Sequence, residues 1–543
     1  MEEPLELPAI AYLTQVKANQ FEARLLAQEN KTHTVQVDGE EILVGQLGSY
    51  VFIQQNSVRV LAMVNQSRET ESGVLLHLIP LGELNQAGEF QRGVRHYPTP
   101  GADVYAASKA YIQNIFAKFK AFDFSLGQIS NSGQQRAHLN PSTLCGRNFT
   151  ILGQSGSGKS WTVASVLQQA VHAMPKAHII LLDLHGEYCW KNSDGQRQAS
   201  FKEGTYRYFD ARALEIPYWL MTYGELIDLL IDRSDTSASV QTAFLREALY
   251  SLKKKEAEKL DIGFVSIDAP IYFSLEELYK EFKNANELRT DFGKTKGPLF
   301  GQFDEFLVKL QSRMSDVRYD FLLKPKRRNT SESLPKLLRD FVGLGDPKCQ
   351  VTIIDLSGVP FDVRPAVSSQ IGRLAFEFNY WNPRNREFPL LLVCEEAHAY
   401  IPREGNTQYE GTRRSMERIA KEGRKYGVGL GVVSQRPHEL SETVLSQCST
   451  YICLRLTNPD DQAYVRDLVP DAESDLVDIL PALGRGEAMV MGEAVPLPTR
   501  VRIDQPDPAP NSQDVDYHDA WRTGPEDLNV EAIADRWRRQ GRF

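Results

Sequence analysis

Along the first hundred residues, apolar and polar positions alternate with a period of two. The runs Thr34-Val35-Gln36-Val37, Tyr50-Val51-Phe52-Ile53, Ser57-Val58-Arg59-Val60-Leu61 and Val74-Leu75-Leu76-His77-Leu78-Ile79 are separated by Asp38-Gly39, Gly48-Ser49, Gln55-Asn56 and Ser72-Gly73. A strand turns successive side chains to opposite faces, so short strands broken by tight turns at this spacing predict a small β-barrel. Tyr97-Pro98-Thr99-Pro100-Gly101 interrupts the alternation, which sets the expected first domain at residues 1–100.

Past that point the pattern changes. Unbroken apolar runs at 149–152, 178–183, 350–355, 389–394, 430–434 and 451–456 alternate with helical stretches. That rhythm predicts an α/β domain over 101–505, with a mostly parallel sheet wrapped by helices. Between about 216 and 346 the apolar runs give way to charged helical text at 241–259, 274–283 and 300–313, the mark of a helical insertion. Its basic runs, Lys253-Lys254-Lys255 and Lys324-Pro325-Lys326-Arg327-Arg328, read as solvated faces. After Ile503, Pro506-Asp507-Pro508-Ala509-Pro510-Asn511 forms a stiff linker, giving a third segment at 506–543. Trp521 and Trp537 in that tail call for a surface to pack on, either the chain's own or a neighbouring subunit's.

Composition narrows the class without choosing a function. Apolar residues make up 42% of the 543 and aromatics 10%, enough for large cores and two or more domains. The longest apolar runs are too short to cross a bilayer, and the start carries three glutamates and no basic residue, so a cytoplasmic protein is expected. Six scattered cysteines without a C-x-x-C pair read as buried thiols. A net charge of −9 argues against coating DNA by bulk attraction, although a ring can hide a basic lining inside an acidic exterior.

The chemistry concentrates in a few strand ends. Gly153-Gln154-Ser155-Gly156-Ser157-Gly158-Lys159-Ser160 fits G-x-x-x-x-G-K-[ST], follows an apolar run and precedes a helix opened by Trp161. Its glycines let backbone N–H groups converge on phosphates, Lys159 bridges the β and γ phosphates, and Ser160 offers its hydroxyl to Mg²⁺, which makes 153–161 the expected ATP site. Such a loop also needs a carboxylate for Mg²⁺ and another to aim water. Glu395-Glu396, after Leu390-Leu391-Leu392-Val393-Cys394, can divide those roles, with Glu395 on the Mg²⁺ shell and Glu396 toward the nucleophile. Asp355 is the weaker choice, since it can instead cap the turn at Ser357-Gly358. Gln435 follows another run and could sense the γ-phosphate. Arg147, just before the P-loop strand and expected at the sheet's edge, could reach a neighbour's nucleotide.

The P-loop, Asp183-Leu184-His185-Gly186-Glu187-Tyr188, Glu395-Glu396-Ala397-His398, and Glu422-Gly423-Arg424-Lys425-Tyr426-Gly427 leading to Ser434-Gln435-Arg436-Pro437 together resemble the HerA branch of the FtsK and HerA superfamily. The likeness runs through most of the chain. It implies a RecA-like ATPase domain, an N-terminal HAS-barrel and a C-terminal brace on the next subunit. It also implies a homohexamer with double-stranded DNA in its pore, acting as a helicase or DNA translocase, and a nuclease such as NurA or a Sir2-like effector on the barrel face. The setting would be DNA end processing or antiphage defence. On matching positions it makes Glu396 the catalytic base, Gln435 a polar sensor, Arg147 a finger acting in trans and Arg436 a phosphate contact. The family often has Asp-Glu where this chain has Glu395-Glu396. Two other readings stand beside the motor: an ATP-regulated ring scaffold for an effector, and a pump for other polymers.

Overall fold

The strand Ala11–Val16 buries alternate residues and turns back into Phe21–Leu25, so a hairpin stands where the turn spacing gave no signal. The computed structural model describes all residues except 1–7, 27–33, 38–39, 57, 72, 86–88, 131–134, 193, 233, 291–293, 404–408 and 539–543. The expected turn at Asp38-Gly39, and Ser57 and Ser72 in the other signals, lie outside the described residues.

The chain divides into two compact units, Met1–Pro175 with Glu396–His398 and Gly429–Ala509, and Lys176–Glu395 with Ala399–Val428 and Pro510–Phe543. In the first, antiparallel strands run in the order Phe21–Leu25, Ala11–Val16, Asp103–Ala106, Tyr50–Gln55, Val58–Thr70 and Gly73–Leu84. Gly73–Leu84 pairs back onto Phe21–Leu25 and closes a six-stranded barrel, which leaves no open edge among these strands. Its interior is apolar, with Leu13, Phe21, Ile53, Val60, Leu76 and Val104 all buried. Each such side chain contributes about 1.5–3 kcal/mol. The run Thr34–Val37, expected in the barrel, instead pairs with Glu40–Leu43 in a separate two-stranded ladder. The strand Asp103–Ala106 follows the Pro98-Thr99-Pro100-Gly101 turn and joins the barrel from beyond it.

The same unit holds a mixed sheet in the order Arg136–His138, Ser125–Ile129, Thr499–Ile503, Glu487–Gly492, Thr450–Cys453, Phe149–Leu152 and Val428–Ser434. Phe149–Leu152 is parallel to both its neighbours and wholly buried. It is an interior strand, so Arg147 leaves the N-terminal end of that strand rather than the sheet's edge. The helix Lys159–Ala173 buries Val163, Val166, Leu167 and Ala170.

In the second unit, Leu390–Cys394, Ile179–Asp183, Val351–Asp355 and Tyr206–Asp210 form a parallel set in that order. The inserted region is helical, with Ala238–Lys259, Leu275–Glu287 capped by Ser274, Asp304–Ser315 and Leu334–Phe341. Phe282, Phe303, Phe306 and Leu310 form its core. Two of its basic residues depart from the expected solvated face. Lys253 is fully buried, donating from Nζ to the carbonyls of Ile267 at 2.7 Å and Ala269 at 2.8 Å, and Arg328 is buried on Asp340 at 2.7 Å. Each finds partners that replace water.

Within the linker, Gln168 of the first unit accepts from the Asp507 N–H and donates to the Pro508 carbonyl. The tail helices Tyr517–Thr523 and Val530–Arg538 bury no residue, leaving Trp521 82% and Trp537 76% exposed. Among the described residues, no helix is long and apolar enough to cross a membrane. Five cysteines are buried and Cys145 is half-buried.

Candidate nucleotide site

The loop after Phe149–Leu152 is shaped by backbone that other residues would not tolerate. A Cβ on Gly153 would fall 2.6 Å from Ser157 Oγ, and Gly158 takes φ +104° as the helix begins. Gly153 N–H donates to the Ser434 carbonyl at 3.2 Å and Gln154 N–H to Arg455 at 3.0 Å, which fixes the loop to strands on both sides. Gln154 Oε1 accepts from Thr457 Oγ1 at 2.6 Å, whereas Ser155 and Gly156 are exposed at the apex. A Cβ on Gly156 would meet nothing within 4 Å, so the cradle opens outward there. Ser160 and Trp161 are half-buried at the start of Lys159–Ala173, and the indole N–H of Trp161 is buried without a hydrogen-bond partner.

Lys159 is 8% exposed, and its Nζ lies 3.7 Å from Glu396 Oε1. Glu396 adopts φ +44°, a left-handed conformation that costs a non-glycine residue about 1–3 kcal/mol and recurs at functional sites. Its other oxygen, Oε2, lies 3.4 Å from His398 Nδ1. That same nitrogen is 3.2 Å from Ser434 Oγ, which accepts the Arg436 backbone N–H at 3.0 Å. Burial holds the His398 imidazole below the usual histidine range, against the pull of Glu396. His398, only one letter of a motif in the sequence, thus joins the Glu396 corner to the strand Val428–Ser434.

The remaining candidates separate. Glu395 is 2% exposed, accepts from Tyr188 OH at 2.8 Å through Oε1, and its carbonyl accepts from Tyr400 OH at 2.8 Å. Burial and the Glu395 charge drive the Tyr188 phenol well above its ordinary range. Gln435 is half-buried beside Ser434, and Arg436 is exposed on Glu439 at 2.8 Å. Arg147 forms an exposed ion pair with Glu493. A four-residue strand, roughly 13 Å long, separates Arg147 from the P-loop that follows it. Asp355 caps the Ser357 N–H at 2.7 Å and accepts from Tyr208 OH at 2.7 Å.

A buried strand, a glycine-shaped loop at a helix start, and a P-loop lysine resting on a strand-end carboxylate define a nucleotide-binding ATPase of the P-loop class. The central-domain model of the helicase HerA family matches residues 124–375. The chain is 27% identical over 447 residues to the DNA double-strand break repair helicase HerA of Sulfolobus acidocaldarius, across 81% of this chain and 80% of that protein. It is 28% identical over 455 residues to the protein so named from Sulfurisphaera tokodaii, again across 81% and 80%. Over that span the chain is similar to helicase/ATPases of the HerA type. The solved structure of VirB4 of Thermoanaerobacter pseudethanolicus covers 70% of this chain and 96% of its own at 17% identity, with a TM-score of 0.48.

Proposed function

We propose that the chain hydrolyses ATP to move along or unwind double-stranded DNA, as a homohexamer in the cytoplasm, with a NurA-like nuclease or a Sir2-like effector docked on the barrel face. The observation that carries the reading is the Lys159–Glu396 contact at 3.7 Å, which joins the P-loop to the acidic pair 237 positions further along the chain. Residues 153–161 hold the nucleotide in this reading. Backbone N–H groups and Lys159 take the phosphates, and Glu396 orients the attacking water and takes its proton. Ser160 and Glu395 would hold Mg²⁺, which would supply neutralisation of phosphate charge. Gln435 senses the γ-phosphate, Arg436 contacts phosphate, and Arg147 serves a neighbour's site.

Two further features support the assembly. The strand between Arg147 and the P-loop puts the guanidinium at the far end from its own loop, so a use in catalysis calls for a second copy. The exposed Trp521 and Trp537 suit a brace laid on that copy. The names of the relatives, double-strand break repair helicases, favour DNA end processing over antiphage defence. The test is ATP turnover with and without duplex DNA. Stimulated turnover that falls at least about 10²-fold in Lys159→Ala and in Glu396→Gln is expected. Full turnover in either variant would remove the site assignment.

A further inference from the structure

We infer that His398 is a positioning residue, holding the Glu396 carboxylate in place and tying it to the strand end that carries Gln435. The inference rests on the reading of Glu396 given above. Glu396 lies past the end of its strand with φ +44°, so no strand neighbour fixes its side chain. A lysine ammonium stands 3.7 Å from one carboxylate oxygen and an imidazole nitrogen 3.4 Å from the other, which is buried and makes no hydrogen bond. Nucleotide phosphates compete for Lys159, and once the lysine turns to them the imidazole is the contact that stays with the carboxylate.

The proton count gives the contact its direction. A carboxylate only accepts, so Nδ1 must carry the hydrogen for the His398–Glu396 contact to be favourable. Ser434 Oγ lies at a similar distance from Nδ1, 3.2 Å against 3.4 Å, and can accept that same hydrogen. A single N–H cannot serve two acceptors fully. While Lys159 neutralises Glu396, the serine is the stronger competitor for it; when Lys159 leaves, the bare carboxylate is, because a charged acceptor makes the stronger hydrogen bond. Ser434 also accepts the Arg436 N–H and precedes Gln435, so this change is felt where the γ-phosphate sensor is rooted. His398 sits in the short turn Ala397–Ala399, directly after Glu396, with its side chain 14% exposed. Besides Glu396, the charges of Glu439, Arg436 and Lys159 also act on it.

The experiment compares three substitutions in the full-length protein, assayed for DNA-stimulated ATP turnover and for binding of a fluorescent ATP analogue. His398→Ala is expected to lower kcat by about 10- to 100-fold while KM for ATP moves less than about 3-fold, since a misplaced group costs rate rather than binding. His398→Asn, whose amide nitrogen can stand near the Nδ1 position, should recover to within about 5-fold of wild type. His398→Phe fills the space without a donor and should stay at the alanine level. Wild-type kcat in His398→Ala, or recovery by Phe rather than Asn, would overturn the inference and leave simple packing. Should His398→Ala not fold, the Asn and Phe pair decides alone. If Lys159→Ala and Glu396→Gln keep full turnover, the reading of the site itself fails, a different outcome from loss of the His398 effect.

Discussion

Two groups of buried carboxylates stand at the C-terminal ends of parallel strands, and they differ in what holds them. Glu396 rests on a lysine ammonium and an imidazole, side chains that a phosphate or a proton can draw away. Asp183 is committed to the backbone, accepting from Gly186 N–H at 2.7 Å, Glu187 N–H at 3.1 Å and Tyr188 N–H at 3.0 Å. Asp355 is likewise occupied by the Ser357 N–H and the Tyr208 hydroxyl. A carboxylate with exchangeable partners can do chemistry. One that caps a turn maintains a shape, and Asp183 shapes the turn that sets Tyr188 on Glu395.

The largest expected break in this comparison is functional. Glu396→Gln should lower turnover by at least about 10²-fold with little change in melting temperature, because the amide keeps the shape while losing the base. Asp183→Ala should do the reverse, lowering stability by about 3 kcal/mol as the buried Tyr188 N–H and the half-buried Gly186 and Glu187 N–H groups lose their acceptor. Thermal unfolding measured beside turnover separates the two cases. A stable, inactive Asp183→Ala protein would place Asp183 in the chemistry and dissolve the distinction.

A smaller effect sharpens it through pH. Burial, with Asp355 nearby, pushes Asp183 up to about 7 against the three N–H donors. Between about 4, the unfolded value, and 7 the folded chain then keeps a proton that the unfolded chain has released. Stability from this group is complete below that window and is lost as pH rises through it. The melting-temperature gap between wild type and Asp183→Asn should therefore narrow from pH 4 to pH 7; a constant gap would mean Asp183 is ionised throughout. Least of all, Tyr188→Phe should cost about 1 kcal/mol and lower kcat less than about 10-fold, by removing the donor to Glu395 Oε1.

How much of this was legible follows from how local each signal is. The P-loop needs a strand, eight residues and a helix in unbroken succession, and all lie within 149–173. The apolar runs behind Asp183, Asp355 and Glu395 were readable because parallel strands covered on both faces are apolar at every position. Glu487–Gly492 and Thr499–Ile503 were not, since Arg500 and Arg502 interrupt the second, and Arg500 finds Glu487 only across the sheet. Tyr206–Asp210 is half-buried throughout and lacks an apolar run. The turn cap by Asp355 was visible as Asp-x-Ser, a local pattern. The His398–Ser434 contact spans 36 positions and has no local signal.

Arg147 lies at the surface. Its pairing with Glu493 is an exposed one, and such pairs contribute about 0–1 kcal/mol. A lone subunit thus keeps this cation neutralised on its own surface at almost no energetic commitment. In the proposed assembly, docking of a second copy would exchange Glu493 for a phosphate on Arg147 and release the exposed Glu493 carboxylate to solvent. Added salt loosens both pairings together, so the balance between the resting and the engaged subunit should depend less on ionic strength than either contact does alone.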